Sequence, residues 1–191
     1  MNNQETRNLL KNTIPASPQS LVTSIKYPCV GFCYMAINNI DKLVDLYNAK
    51  NNIEYNYLIV DLIKSAAERK KTNINIHQDG EYIDQDSVSC DFKNIVDKLE
   101  FCEMNTLNAN SLLYTKNHIY LTFIEMDYKD YLIVNRSSET FLIIKLDLDS
   151  FLIVDSHKDI HGTVNLDDAI QYITRYDIYK GLIQLGYIKK I

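Results

Sequence analysis

The amino-acid sequence predicts an α+β fold in which N-terminal helices pack on an antiparallel sheet. The first observation is order: apolar residues recur at helical spacing early in the chain, whereas short β-branched and aromatic runs fill the later part. The second is size, because 191 residues accommodate one domain with one substantial core. The third is composition, since 46% hydrophobic and 24% charged residues are typical of a globular domain.

The N-terminal segment has a different character from the rest of the chain. Residues 1–20 are predicted to form a polar tail, and residues 21–191 are predicted to form the single domain. Two of the three prolines, Pro15 and Pro18, lie in this segment and favour an extended backbone.

The first half of the domain is predicted to be helical. Apolar residues recur at three- and four-residue steps from Cys29 to Tyr47, which is typical of one long amphipathic helix. Pro28 suits the first turn of this helix, because the N–H group that proline lacks would have no helical partner there. Further helices are predicted over residues 54–71 and over 86–103, the latter with Asp86 as its N-cap.

The second half of the domain is predicted to form the sheet. Short runs rich in β-branched and aromatic residues predict strands at 118–124, 131–134, 140–146 and 150–157. The apolar runs 141–144 and 151–154 are predicted to pair as an antiparallel hairpin in the centre of the sheet. Helical spacing returns over 167–185 and predicts a closing helix, so the order of elements is typical of an α+β protein.

Composition excludes several classes of function. The formal net charge of -5 is opposite to that of proteins that coat nucleic acid, which need a basic face. No apolar run approaches the roughly 20 residues of a membrane span, and the N-terminus has no signal-peptide core. Four cysteines in a chain of this length do not make a disulfide framework. We therefore expect a cytoplasmic monomer that binds neither nucleic acid nor membrane and uses no cofactor.

Cys29 is placed where a loop ends and the predicted long helix begins. A helix N-terminus carries partial positive charge and unpaired N–H groups, which favour a thiolate over a thiol. Cys29 is therefore a candidate nucleophile, although a structural role is the alternative for this cysteine taken alone. Cys33 lies within the same helix at core spacing and is predicted to be a small core residue.

The apolar run 151–154 is followed directly by Asp155, Ser156 and His157. If the strand continues, the Asp155 and His157 side chains point to one face, about 6.6 Å apart. That spacing lets the carboxylate accept from the His157 Nδ1–H group and orient the ring, which leaves Nε2 to take a proton. The alternative is a strand that runs out into solvent, where aspartate and histidine are ordinary surface residues.

A zinc site is a second alternative for this region. His157 and His161 are four residues apart and could bind zinc together with Asp155 or Asp159. That spacing requires one helical face, whereas the strand pattern continues into His157 and Gly162 follows His161 at once. No metal site is therefore predicted.

The cysteine and the Asp-Ser-His run together indicate a function more strongly than either does alone. An early cysteine at a helix start and a late histidine with an aspartate partner match the layout of papain-like thiol hydrolases. In that layout the helix N-terminus lies against the sheet, so residues far apart in the sequence form one site. The sequence thus predicts that Cys29 meets Asp155 and His157 in space.

Both motifs resemble the viral deubiquitinase family typified by the protease domain of the herpesvirus large tegument protein. The run Pro28-Cys29-Val30-Gly31-Phe32 is similar to that family's nucleophile motif, Gln-Cys-Val-Ser-Asn, which opens a long helix. The run 150–157 resembles its strand motif, an apolar residue followed by Phe-Asp-Ser-His. The sequence departs from the family at Pro28, where the family has glutamine, and at the two residues Gly31 and Phe32.

The resemblance implies a papain-like cysteine protease fold, with Cys29 as nucleophile, His157 as general base and acid, and Asp155 as the residue that orients His157. The family also uses an upstream glutamine as an oxyanion donor, which on this basis would be Gln19. The implied partner is ubiquitin or a ubiquitin-like modifier, and the implied reaction is hydrolysis of (iso)peptide bonds at its C-terminus through a thioester. The resemblance also implies a viral protein that acts in the host cytoplasm or is associated with the virion.

Two other hypotheses remain open at this point. The same Cys-His-Asp group would serve an amidase or acyltransferase that acts on a small or peptidic substrate. The other hypothesis is a catalytically eroded ubiquitin-binding or virion scaffold protein, because the residues around Cys29 depart from the family motif.

Overall fold

A single antiparallel sheet organises the computed structural model, which describes residues 3–25, 28–72, 92–136, 139–174 and 181–190. Its strands are β1 (Lys11–Pro15), β2 (Leu99–Asn105), β3 (Tyr131–Arg136), β4 (Glu139–Asp147), β5 (Ser150–Val154), β6 (Ile160–Val164) and β7 (Leu182–Ile188). The strand order is β1-β6-β5-β4-β3-β7-β2. The helices in these ranges are α1 (Asn3–Leu9), α2 (Gln19–Val22), α3 (Cys29–Ile37), α4 (Ile40–Asn48), α5 (Asn52–Thr72), α6 (Lys93–Val96), α7 (Ala109–Glu125) and α8 (Leu166–Thr174).

Both faces of the central strands are buried, and alternate side chains enter two different cores. In β4, Leu142 and Ile144 belong to a core formed with helices α3, α4 and α5. Phe141 and Ile143 point the other way, into a core formed with α7 and α8. This two-residue alternation is the side-chain period of a strand, and it explains why the runs are apolar throughout. The α+β class with helices packed on an antiparallel sheet is confirmed.

The predicted central hairpin is also confirmed. Strands β4 and β5 pair antiparallel, with Leu142 opposite Val154 and Ile144 opposite Leu152. Strand β4 is the middle strand of the seven-stranded sheet, as the long apolar run indicated.

The predicted first helix is split into two. Helix α3 ends at Ile37 and α4 begins at Ile40. Between them Asn39 donates its side-chain Nδ2 to the Met35 carbonyl oxygen, 2.8 Å away. Asparagine side chains compete for backbone hydrogen bonds in this way and thereby interrupt a helix whose apolar spacing would otherwise continue.

The strand predicted at 118–124 is wrong, because this segment belongs to helix α7. The Asn108 side chain caps the helix by accepting from the Ser111 N–H group at 2.9 Å. The buried residues of α7 follow helical spacing: Thr115, Ile119, Thr122 and Phe123. Short apolar runs fit either period, and tertiary packing decided this one.

Two predicted helices end in strands. Residues 86–91, including the predicted N-cap Asp86, lie outside the described residues, while α6 covers only residues 93–96. Residues 99–105 form β2, so the helix predicted to continue to residue 103 is wrong there. The closing helix α8 ends at Thr174, and residues 182–185, predicted as its end, belong to β7. Strands β2 and β7 pair with each other, and this long-range pairing replaces the predicted local helices.

The N-terminal segment also differs from the predicted polar tail. It forms α1 and then β1, and β1 pairs with β6 so that Ile14 lies opposite His161. Ile14 is 3% exposed and belongs to the core on the α3 side. A side-chain carbon at Gly162 would lie 2.7 Å from the Lys11 carbonyl oxygen, so glycine is required for this close approach of β1. The segment therefore runs alongside the chain between Asp155 and β6.

Helices α3 and α5 pack directly on each other. The predicted helix over 54–71 is confirmed as α5, whose first turn is stabilised by the Asn51 side chain accepting from the Glu54 N–H group. Gly31 of α3 faces Ala66 of α5, where an added carbon would lie 3.4 Å from the Ala66 Cβ atom. Small residues on both helices thus let α3 lie between α5 and β4. Within the described ranges, no helix combines the length and apolar character needed to cross a bilayer.

Candidate active site

Cys29 is the first residue of helix α3, as predicted, and its thiol faces the sheet. Pro28 occupies the N-cap position, and only 3% of Cys29 is exposed. Thr140, near the start of β4, lies beside the Cys29 sulfur and helps to lower the pKa of the thiol. The helix start and the central strand therefore fix the thiol from two sides.

Asp155 and His157 are in direct contact, but not in the way that the strand pattern predicted. Strand β5 ends at Val154, and residues 155–157 form a turn. Within it the Asp155 Oδ1 atom accepts from the His157 backbone N–H at 2.9 Å and from Nδ1 at 2.7 Å. The prediction of two side chains on one strand face is thus wrong. The carboxylate instead accepts both hydrogen bonds, so it stabilises the turn and orients the His157 ring at the same time.

The structure brings Cys29 to His157, as the sequence predicted. The Cys29 thiol and the His157 ring lie close enough for each to shift the pKa of the other. Because Nδ1 is occupied by Asp155, Nε2 is the ring nitrogen that remains to face the sulfur. Asp155 is 1% exposed, whereas 18% of the His157 side chain is accessible. The group of Cys29, His157 and Asp155 is therefore closed to solvent at the Asp155 carboxylate and partly accessible at the His157 ring.

Opposite charges stabilise one another along this group. Burial raises the pKa of the Cys29 thiol, but the hydrogen bond and positive charge of His157 outweigh it, so the pKa is lowered overall. Burial lowers the pKa of His157, yet Asp155 and the Cys29 sulfur raise it to about 11. Burial likewise opposes ionisation of Asp155, and His157 holds the pKa of that carboxyl well below its usual range. The charges of the site therefore favour a thiolate at Cys29 beside an imidazolium at His157.

The other described cysteines lack this activation. Cys33 lies one helical turn after Cys29 and is fully buried, as predicted for a core residue. Burial, followed by the negative charges of Cys29 and Asp155, raises the pKa of Cys33 well above its ordinary value. Burial and two neighbouring glutamates also raise the pKa of Cys102. Cys90 lies outside the described residues.

Gln19 lies beside the turn that contains Asp155 and His157. Its backbone N–H donates to the Ser156 carbonyl oxygen at 2.6 Å, and the Ser156 hydroxyl donates to the Gln19 Oε1 atom at 2.8 Å. The segment before it is anchored by the Asn56 side chain of α5, which accepts from the Ser17 N–H group at 2.7 Å. With Oε1 bound to Ser156, the Nε2 group is the part of the amide that remains to donate.

Two further side chains contact Asp155 from behind, and no sequence motif predicted them. Tyr172 of α8 donates its hydroxyl to the Asp155 Oδ2 atom at 3.3 Å. His161 of β6 contacts the Asp155 carbonyl oxygen through Nε2 at 3.0 Å, and its Nδ1 meets the Tyr55 hydroxyl at 2.8 Å. The only sequence signal was the closeness of His161 to the Asp-Ser-His run, since Tyr55 and Tyr172 look like ordinary apolar positions of a helix.

The zinc alternative has no support in the described ranges, which contain no group of three His, Cys, Asp or Glu side chains placed to bind a metal. His161, one of the two histidines considered, has both ring nitrogens engaged by Tyr55 and the Asp155 carbonyl. His157 likewise faces Asp155 and Cys29 with its two nitrogens.

Comparison with known proteins identifies the fold. No family model matches the sequence, and no curated protein matches it. Among solved structures, the ubiquitin-specific protease encoded by a murine cytomegalovirus tegument protein matches with a TM-score of 0.56 at 10% identity, over 94% of this chain and 87% of that one. The cysteine protease-like domain of the Photorhabdus asymbiotica toxin PaTox matches with a TM-score of 0.47 at 13% identity, over 97% and 56% of the two chains. The chain thus has the fold of a papain-like cysteine protease domain, as its motifs predicted.

We predict that Cys29 is alkylated at a pH where ordinary thiols are inert. Because His157 lowers the pKa of Cys29, the Cys29 thiolate should persist to lower pH than that of an ordinary thiol, whose reactivity falls about tenfold per pH unit below its pKa. Iodoacetamide labelling followed by peptide mass spectrometry measures this directly. Cys33 and Cys102, whose pKa values are raised, are the internal controls. Labelling of Cys33 ahead of Cys29 would contradict the assignment.

Proposed function

We propose that this protein is a cysteine-dependent deubiquitinase that hydrolyses (iso)peptide bonds at the C-terminus of ubiquitin or a ubiquitin-like modifier. The observation that supports this most directly is the hydrogen-bonded series Cys29, His157 and Asp155 at a helix start on a papain-like fold. All of these groups come from one chain, so a monomer is sufficient for the proposed reaction. The expected place of action is the cytoplasm of a host cell.

In the first half of the proposed reaction, the Cys29 thiolate attacks the carbonyl carbon of the C-terminal glycine of ubiquitin. The resulting tetrahedral intermediate collapses as the bond to the lysine amine breaks, and the His157 Nε2–H group protonates that amine. The product is a thioester between Cys29 and ubiquitin. His157 is now neutral, and Asp155 keeps its Nδ1–H tautomer through the bond of 2.7 Å.

In the second half, water replaces the released amine. His157 Nε2 takes a proton from the water molecule as its oxygen attacks the thioester carbonyl. The second tetrahedral intermediate then expels the Cys29 thiolate and releases the C-terminal carboxylic acid of ubiquitin, which loses its remaining proton to solvent. The imidazolium beside a thiolate is restored, which is the state that the charges of the site favour.

We assign two hydrogen-bond donors to the oxyanion of these intermediates. The Cys29 backbone N–H lies in the first turn of α3, where no carbonyl oxygen of the helix can accept from it. We assign the second donor to the Nε2 group of Gln19, because Ser156 binds the Oε1 atom and so orients the amide.

Ubiquitin as the substrate is supported by three considerations. The structural match with a TM-score of 0.56 is a ubiquitin-specific protease, and that enzyme was solved in complex with a ubiquitin-based suicide substrate. The Asp-Ser-His run and the cysteine motif resemble the viral deubiquitinase family. The formal net charge of -5 favours encounter with the arginine-bearing tail of ubiquitin.

We predict that ubiquitin with a thiol-reactive C-terminal electrophile is captured covalently at Cys29. Cys29→Ala should abolish capture and hydrolysis, and its melting temperature should stay near that of the unchanged chain because Cys29 does not belong to the core cluster that includes Cys33. Intact mass and peptide mapping measure the capture. Cys33→Ala is the matched control, and it should lower the melting temperature while sparing capture, because Cys33 is a core residue. Reaction of Cys29 with a small electrophile but not with the ubiquitin probe would instead indicate a different amidase or acyltransferase.

We predict that Asp155→Asn lowers kcat by about 10²–10⁴-fold, because an amide favours the wrong tautomer of His157. Asp159→Asn is the matched control, since Asp159 is half exposed and pairs with Arg7 at the surface. Its activity should stay within about twofold of the unchanged protein. Steady-state hydrolysis of a fluorogenic ubiquitin substrate measures both variants, and equal activities would rule out the orienting role of Asp155.

We predict that Gln19→Ala lowers kcat by about 10²–10³-fold, the usual effect of losing one oxyanion donor. Ubiquitin binding should be retained, which is measured by titrating ubiquitin into the Cys29→Ala and the Cys29→Ala/Gln19→Ala proteins. A loss of less than about tenfold in kcat would assign the second donor to another group.

A further inference from the structure

We propose that His161 is a positioning residue that, together with Tyr55, fixes the turn bearing Asp155 and His157 against the helical layer that bears Cys29. This inference rests on the proposed function, because it concerns how the same site is assembled. Neither His161 nor Tyr55 would touch the substrate, since both are buried behind Asp155.

The hydrogen bonds around His161 determine its tautomer. The Asp155 carbonyl oxygen can only accept, so the His161 Nε2 atom, 3.0 Å away, must bear the proton and donate. Nδ1 is then an acceptor, and the Tyr55 hydroxyl donates to it at 2.8 Å. Tyr55 is therefore a donor, His161 an acceptor and donor, and Asp155 the final acceptor. Reversing the tautomer would leave both of these bonds unmade.

Burial keeps this connection neutral. Burial lowers the pKa of His161 to about 4, so its ring is uncharged at neutral pH. A neutral ring can accept from Tyr55, whereas an imidazolium has no acceptor nitrogen. It also places no second positive charge beside Asp155, so His157 remains the main cationic partner of that carboxylate.

The connection crosses between the two parts of the molecule that meet at the site. Tyr55 belongs to α5, and α5 packs on α3 through the contact of Ala66 with Gly31, two residues after Cys29. His161 belongs to β6, and the carbonyl that it holds also accepts from the Lys158 N–H group at 3.1 Å. One end of the connection is thus tied to the nucleophile and the other to the turn of the acid–base pair. Small displacements between such groups are costly for catalysis.

Other titratable groups lie close to Asp155 and must be kept unchanged in any test of the Tyr55–His161 connection. Tyr172 donates to Asp155, the charge of Lys158 lowers the pKa of Asp155, and the charges of Cys29 and Asp155 raise the pKa of Cys33. None of these side chains is in the Tyr55–His161 connection. A change confined to Tyr55 therefore isolates the connection from the rest of the charge network.

The experiment compares Tyr55→Phe with Tyr47→Phe. Both variants lose one buried tyrosine hydroxyl, because Tyr47 donates to the Asn12 carbonyl at 2.7 Å, and the two rings lie 6.3 Å apart in the same cluster. Only Tyr55 bonds to His161. The two variants should thus have similar losses in melting temperature and different effects on the site.

We expect Tyr55→Phe to lower kcat for a fluorogenic ubiquitin substrate by on the order of tenfold with little change in KM, as for other outer partners of functional histidines. It should also shift the pH profile of Cys29 alkylation to higher pH. Tyr47→Phe should change neither measurement by more than about twofold. Equal effects of the two variants, or an unshifted alkylation profile in Tyr55→Phe, would overturn the proposal.

A second pair of variants tests His161 itself. In His161→Gln the side-chain Nε2 can replace the lost donor to the Asp155 carbonyl, whereas His161→Leu cannot donate at all. We expect the glutamine variant to regain most of the low-pH alkylation that the leucine variant loses, and equal losses would contradict the positioning role. Alkylation needs no ubiquitin, so a protein that shows these shifts without cleaving ubiquitin would support the inference and refute the proposed substrate. If Cys29 of the protein without substitutions is not alkylated at low pH, both the positioning inference and the proposed function are refuted.

Discussion

The hydrogen bond between the Asp155 carboxylate and the His157 ring is the interaction on which the candidate site depends. A carboxylate that is 1% exposed is costly to bury unless its oxygens are satisfied. Here two N–H groups of His157 donate to Oδ1, and the Tyr172 hydroxyl donates to Oδ2. The same bonds fix the tautomer of His157 and turn Nε2 toward Cys29, so stabilisation of the buried charge and orientation of the base have one cause.

The site exists only because two layers of the fold meet at this point. Cys29 comes from a helix that is buried on nearly all sides between α5 and β4, so its position is set by close packing. His157 comes from a turn at the end of a central strand. Strand β1 and the segment after it run along this turn and bring Gln19 beside Ser156. An N-terminal segment that looks like a polar tail thus lies beside the candidate site.

Two histidines four residues apart show how strongly environment controls charge. His157 has a carboxylate on one nitrogen and a sulfur on the other, and its pKa is raised to about 11. His161 has a hydroxyl on one nitrogen and a carbonyl on the other, and burial lowers its pKa to about 4. His157 is therefore cationic at neutral pH, whereas His161 is a neutral link between Tyr55 and the Asp155 carbonyl oxygen.

The sequence by itself determined the elements whose signal is local. The continuous apolar runs predicted the β4–β5 hairpin, and the position of Cys29 after Pro28 predicted a thiol at a helix start. The tertiary structure decided everything that depends on partners distant in the chain. The apolar pattern of residues 118–124 fits both a strand and a helix, and tertiary packing selects helix α7. Residues 99–105 form a strand because they pair with β7, for example Leu99 with Ile188. The turn at Asp155 and the contact of Tyr55 with His161 were equally hidden, because hydrogen bonds between residues far apart in sequence leave no period to detect.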